Sequence, residues 1–150
     1  WWFVTGVQTC ALPISGKENF TKIPNGAPGI GERVNLVYSE GVKKGKISRN
    51  KFAEVISTNP AKIFGMYPQK GSIIIGSDAD LTIIDPEKKG LISIKTSHYK
   101  ADYSAFEGFE LSGMVSMTIS RGKIIAKNGQ FIGNINHGTY LKRKLPNFCL

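Results

Sequence analysis

The chain has 150 residues, 41% hydrophobic and 21% charged, which points to one ordinary globular domain and leaves no low-complexity tract to read as disordered. Its net charge of +9 admits a polyanionic partner, but the basic residues are spread along the chain and do not alternate with aromatics, so no nucleic-acid partner is expected. No apolar run reaches the roughly 18 residues a membrane helix needs. The two cysteines, Cys10 and Cys149, form no CxxC pair and fit a reduced, cytoplasmic setting.

Residues 1–15 read as an artefact. Val4 to Ile14 back-translates to a string resembling a common sequencing-library adapter, so this stretch is set aside from fold reasoning and the gene is expected to continue upstream of Gly16. Phe20 to Gly31 follows as a constrained loop. Pro24 and Pro28 fix their own φ and push the preceding residues extended, while Gly26 and Gly29 allow close backbone approach.

Glu32 to Val42 carries Val34, Val37, Tyr38 and Gly41 at helical spacing. Ser48 is an N-cap for a second helix with Phe52, Val55 and Ile56 on its apolar stripe, ending near Thr58. Pro60 suits the first turn of a third, short helix running through Phe64 and closed by Gly65. A boundary is expected near Tyr67-Pro68. Beyond it the period changes to short strands at Ile73–Ile75, Leu81–Ile84 and Leu91–Ile94. Gly113 to Ser120 alternates in part, Arg121-Gly122 turns the chain into Lys123–Ala126, and Asn128-Gly129 is the strongest turn signal, with Phe131-Ile132 continuing past it.

Little here does chemistry alone. His98 and His137 are the only histidines, with no HxH or HExxH, so the chain offers no self-contained zinc site. Asp78, Asp80 and Asp85 lack the Gly and distal Glu of a calcium loop. They read as turn residues, with Ser77 and Asp78 bonding neighbouring amides. Gly71 to Gly76 is not a phosphate loop, and no serine sits in GxSxG.

Four segments together carry a resemblance: Ile23-Pro-Asn-Gly26 with Pro28-Gly29 and Arg33; Thr58 to Gly65; Lys70 to Asp80; and Asp102-Tyr-Ser104 with Phe106-Glu-Gly108. From Gly16 to about Pro146 the chain resembles the C-terminal end of a cyclic amidohydrolase of the dihydropyrimidinase/D-hydantoinase family. The resemblance implies an α+β fragment: residues 16–67 would be the last helices of a (β/α)₈ barrel, 68–135 part of a small β-sandwich domain, and 136–150 a tail reaching a neighbouring subunit of a homotetramer. It implies a metal-dependent hydrolase in which two divalent ions, usually zinc, activate a hydroxide to open a dihydropyrimidine or hydantoin ring. The metal ligands of such enzymes would fall before Gly16, so no catalytic or metal-binding residue is expected in this chain and the fragment itself is expected to be inactive. One position carries over: Asn25 matches the family residue whose backbone groups bond the substrate's imide edge. Gly31 stands where the family usually has Glu.

Two other readings compete. The strand-rich part, Gly71 to Ile132, is read alternatively as a small stand-alone basic binding module. The parent is read alternatively as a non-catalytic relative that has lost its metals.

Overall fold

A computed structural model describes residues 19, 21, 28–98, 103–134 and 136–145. Residues 1–18, the Asn25 loop segment 22–27, Asp102 and the last five residues lie outside the described residues.

Three short helical segments lead into a four-stranded antiparallel sheet, an α+β arrangement. Helix α1 spans Arg33–Val37 and runs on through π-helical turns over Tyr38–Lys43. Helix α2, Arg49–Ala53, continues likewise over Glu54–Thr58, and helix α3 spans Asn59–Ile63. The local signals explain these limits. Ser48 Oγ accepts from Lys51 N at 3.1 Å, so the expected N-cap forms. Pro60 sits in the first turn of α3, directly after the π-helical turns of Glu54–Thr58. Gly65, at φ 67°, closes α3 in a Schellman arrangement, with Met66 N on Ala61 O (2.8 Å) and Gly65 N on Lys62 O (3.1 Å). Of the stripe expected on α1, Tyr38 is buried and Val34, Val37 and Gly41 are half-buried; Leu36 and Ser39, outside that stripe, are buried as well.

The sheet order is β1-β2-β3-β4, with β1 at Leu81–Leu91, β2 at Glu110–Ser120, β3 at Lys123–Lys127 and β4 at Gln130–Phe131. Both tight hairpins fall where the sequence places them. Arg121 and Gly122 (φ 46° and 75°) join paired Ser120 and Lys123, and Asn128 and Gly129 (φ 52° and 81°) join paired Lys127 and Gln130. Positive φ at both central residues is what a type I′ turn requires.

Two strand expectations are overturned. Ile73–Ile75 forms no strand: the segment bends, and Ile73 and Ile75 are 87% and 105% exposed. No neighbouring strand among the described residues meets this run, so its β-propensity has nothing to pair with. The expected strands at 81–84 and 91–94 are instead one 11-residue strand that ends at Leu91, and Ile94 begins a 3₁₀ turn. Asp85-Pro86 does not end the strand. It opens a bulge: Asp85 pairs with Met114 and Lys89 with Ser112, so four steps on β1 face two on β2. Pro86 has no N–H to donate, which suits a bulge and no regular ladder position. Asp85 Oδ1 accepts from Glu87 N at 2.9 Å and holds the bulge turn.

Helix α1 lies on β2. Leu36, Ile92 and Leu111 form the buried cluster, with Phe106 and Met114 packed against it, and Tyr38 meets Phe52 edge to face at 5.5 Å.

Candidate functional site

A groove of about 580 Å³ lies between α1 and the sheet, lined by residues that include Asn35, Lys88, Ser93, His98, Met114 and Asn128. Its lining is mostly apolar. Polar groups in it bond one another: Lys88 Nζ donates to Asn128 Oδ1 at 3.0 Å, and the His98 ring bonds the Gly129 carbonyl. Beside α1 the packing brings together motifs far apart in sequence. A Cβ on Gly29 would stand 3.5 Å from Phe106 Cε2, so the end of the Pro/Gly loop reaches the Phe106-Glu107-Gly108 segment.

That second segment is tied down. Glu107 accepts from Ser93 Oγ at 2.8 Å with one carboxylate oxygen and from Ile94 N at 2.7 Å with the other. Gly108 N donates to Ile92 O at 2.9 Å. Glu107 therefore clamps the chain as it leaves β1. Nothing in the spacing of Glu107 identifies this role, because its partners lie 13 and 14 residues away across an irregular stretch.

The Lys70 to Asp80 segment is an ion-paired turn. Lys70 Nζ lies 2.8 Å from Asp78 Oδ2 and also pairs with Asp80. Asp80 Oδ1 accepts from Arg121 N at 2.7 Å, which fastens this turn to the β2–β3 hairpin. Partial burial acts to raise the Asp80 carboxyl, but the Lys70 and Arg121 hydrogen bonds outweigh it and hold the group below the usual carboxylate range. Burial likewise acts to lower Lys70, and its bonds to Asp78 and Asp80 reverse that, leaving it raised. The structural role expected for these aspartates holds, with different partners from the neighbouring backbone amides. Ser77 Oγ donates to Pro68 O at 2.7 Å, Asp78 pairs with Lys70, and Asp80 takes the amide of a distant hairpin. Lys70, the cation that organises the turn, opens a resemblance-bearing segment, but nothing in the local sequence marks its pairing with Asp78 and Asp80.

The histidines stand apart in role. His98 faces Gly129, and His137 Nε2 lies 3.0 Å from Ser120 O. Among the described residues no three His, Cys, Asp or Glu side chains converge to hold a metal ion, so these residues do not fit a metal centre by themselves. Asn25, the residue expected to contact substrate, lies outside the described residues. Among the described residues no helix is long and apolar enough to cross a membrane.

Comparison with known proteins gives these features a context. The amidohydrolase family model matches residues 29–125. The chain is 46% identical over 143 residues to a D-hydantoinase of Geobacillus stearothermophilus, covering 92% of this chain and 30% of that protein. It is 45% identical over 137 residues to the dihydropyrimidinase of Rattus norvegicus, covering 91% and 26%. Among solved structures it is similar to the dihydropyrimidinase from Brevibacillus agri NCHU1002, with TM-score 0.82, 44% identity and coverage of 95% of this chain and 33% of the other. It is also similar to a D-hydantoinase, with TM-score 0.81, 45% identity and coverage of 86% and 28%. The chain thus spans less than a third of the length of the curated relatives it matches.

Proposed function

The chain belongs to the amidohydrolase family, and on that basis we propose that it is the C-terminal part of a dihydropyrimidinase- or hydantoinase-like hydrolase that opens cyclic amide rings. The observation that carries this is the identity of 45–46% to a dihydropyrimidinase and a D-hydantoinase across nine-tenths of the chain. In this reading residues 16–67 close a (β/α)₈ barrel, 68–135 belong to a small β-sandwich domain, and the 136–150 tail meets a neighbouring subunit of a homotetrameric, cytoplasmic enzyme. Asn25 offers its backbone to the imide edge of the substrate.

Family members are typically metal-dependent. Two divalent ions, zinc by preference, would be held by residues of the parent upstream of this chain, and when bound they would supply an activated nucleophile. This chain's own contribution is scaffolding. Its ion-paired turn and its Glu107-clamped segment hold their own backbone in place and do not react. The exposed side chains Ile30, Ile73, Ile75 and Leu145 support the fragment reading, since so much uncovered aliphatic surface is what removing a packing partner leaves.

The test is a pair of assays. The 150-residue chain, supplied with zinc, is expected to show no ring opening of dihydrouracil or hydantoin. The uninterrupted protein read from the source locus is expected to open at least one of them, and to lose that activity on chelation. Turnover by the short chain overturns the scaffold reading. A metal-loaded full-length protein inert toward both rings overturns the hydrolase reading in favour of a non-catalytic relative.

A further inference from the structure

The β3–β4 turn assembles groups that play no part in the reading above. Asn128 and Gly129 form an exposed two-residue turn with φ of 52° and 81°. Lys88, from the β1 bulge 40 residues earlier, places its ammonium 3.0 Å from Asn128 Oδ1. The His98 ring bonds the Gly129 carbonyl. An asparagine followed by glycine is the pairing in which the next amide nitrogen reaches the side-chain carbonyl with least obstruction, because no Cβ stands in the way. Asn19, Asn35, Asn50, Asn59, Asn134, Asn136 and Asn147 are followed by Phe, Leu, Lys, Pro, Ile, His and Phe. Only Asn25-Gly26 shares the pairing.

We propose that Asn128-Gly129 is a site of self-deamidation in which Lys88 stabilises the transition state. The Gly129 nitrogen, giving its proton to a solvent hydroxide, attacks Asn128 Cγ. A C–N bond forms, and the carbonyl electron pair moves onto Oδ1. Lys88 donates to that same oxygen, where negative charge develops, so it acts as an oxyanion donor already in place. Collapse expels Nδ2 as ammonia, protonated by water, and leaves a succinimide ring. Water then opens one of the two ring carbonyls. The product at position 128 is either an aspartate in a normal backbone or an isoaspartyl linkage. No oxidant, reductant or cofactor is needed.

The two products differ in effect. A normal aspartate at this position meets Lys88 as an ion pair and keeps the turn, since aspartate tolerates a left-handed φ as asparagine does. The isoaspartyl product lengthens the backbone of a two-residue turn whose flanks, Lys127 and Gln130, are paired. A type I′ hairpin has no room for the extra atom, so β4 loses its register and Gly129 leaves His98. Asn128, Gly129 and His98 all line the groove against α1, so the groove opens as the molecule ages.

The experiment incubates the full 150-residue chain, and its Lys88→Met and Lys88→Arg variants, in mildly alkaline buffer at physiological temperature. Peptide mass spectrometry then follows the gain of one mass unit at Asn128, and isoaspartate is read by fragmentation. The native chain is expected to convert at Asn128. Lys88→Met should convert about threefold to tenfold more slowly, the rate equivalent of one ordinary hydrogen bond, and Lys88→Arg should restore most of the rate. The difference should vanish in concentrated urea, where the Lys88 geometry is lost. Equal rates for the native chain and Lys88→Met in buffer, a difference that persists in urea, or an Asn128 peptide that stays unmodified while the Asn25 peptide converts would each overturn the proposal.

Discussion

Tyr38 covers Gly113. The Tyr38 ring edge is so close to the β2 backbone that a Cβ on Gly113 would stand 2.3 Å from Tyr38 Cε1 and 2.5 Å from Cδ1. Gly113 also has φ 81° in the middle of the strand, beside the β1 bulge. It thus serves two demands at once: a left-handed backbone and a seat for a buried aromatic ring.

Gly113→Ala should therefore be strongly destabilising. Overpacking of this kind costs about 1–3 kcal/mol, and the left-handed φ adds about 1 kcal/mol. The shift in the urea midpoint of the full chain measures it. In a Tyr38→Ala background, where the clashing ring is gone, the same substitution should cost clearly less. Equal costs in both backgrounds would show that the ring is not the obstacle.

Helix α1 also repairs the sheet. Asn35 Oδ1 accepts from Val115 N at 2.9 Å and Ser39 Oγ accepts from Ser112 N at 3.0 Å, one on each side of the bulge where β2 loses regular pairing. The two residues are four apart and so share a helix face. Asn35→Ala leaves the Val115 N–H without this acceptor and is expected to cost about 1–3 kcal/mol. Asn35→Asp keeps an acceptor there and should cost less. Hydrogen exchange at Val115 is the direct readout, and unchanged protection in Asn35→Ala would refute the assignment.

The Lys70–Asp80 pair gives the 70–80 turn an acid and an alkaline limit. Asp80 is held below its ordinary value of 3.8, so its contribution is present above that value and is lost as pH falls through the lower, folded value. Lys70 is held above its ordinary value of 10.5, so its contribution is complete below that value and is lost as pH rises through the higher, folded one. Between these limits the pair's contribution should be flat. Both side chains are roughly a quarter to a third exposed, so the effect stays near or below about 1 kcal/mol. Asp80→Asn should remove the acid limb of a pH titration of stability, and also weaken protection of the Arg121 amide.

The cap on α2 is a local matter. Ser48→Ala removes the acceptor for Lys51 N and should cost about 1 kcal/mol, while Ser48→Asp should keep most of the stability. Exchange of the Lys51 amide separates the two variants.

Asn25 is legible as a candidate substrate contact only through resemblance, and it lies outside the described residues. Glu107 stands inside a resemblance-bearing segment, yet its clamp on Ser93 and Ile94 is visible only in three dimensions. The exposed Ile73–Ile75 run departs from its expected strand for a related reason. Strand formation needs a neighbour, and a β-rich composition cannot say whether one is present.

The amino-acid order dictates the elements whose causes are local: the Ser48 cap, Pro60 in the first turn of α3, Gly65 at its end, and the two type I′ turns at 121–122 and 128–129. Each depends on the φ preference or hydrogen-bonding reach of a residue within a few positions, so it is written in a short window. The family is legible there too. Folding in three dimensions is what makes Asp85-Pro86 bulge in place of ending a strand, sets Lys70 and Asp80 to brace a hairpin 41 residues on, and turns Asn35 and Ser39 toward amides 80 and 73 residues away. Those pairings arise when α1 settles on β2 over Leu36, Ile92 and Leu111. They follow from the packing of side chains between distant segments, which no local preference encodes.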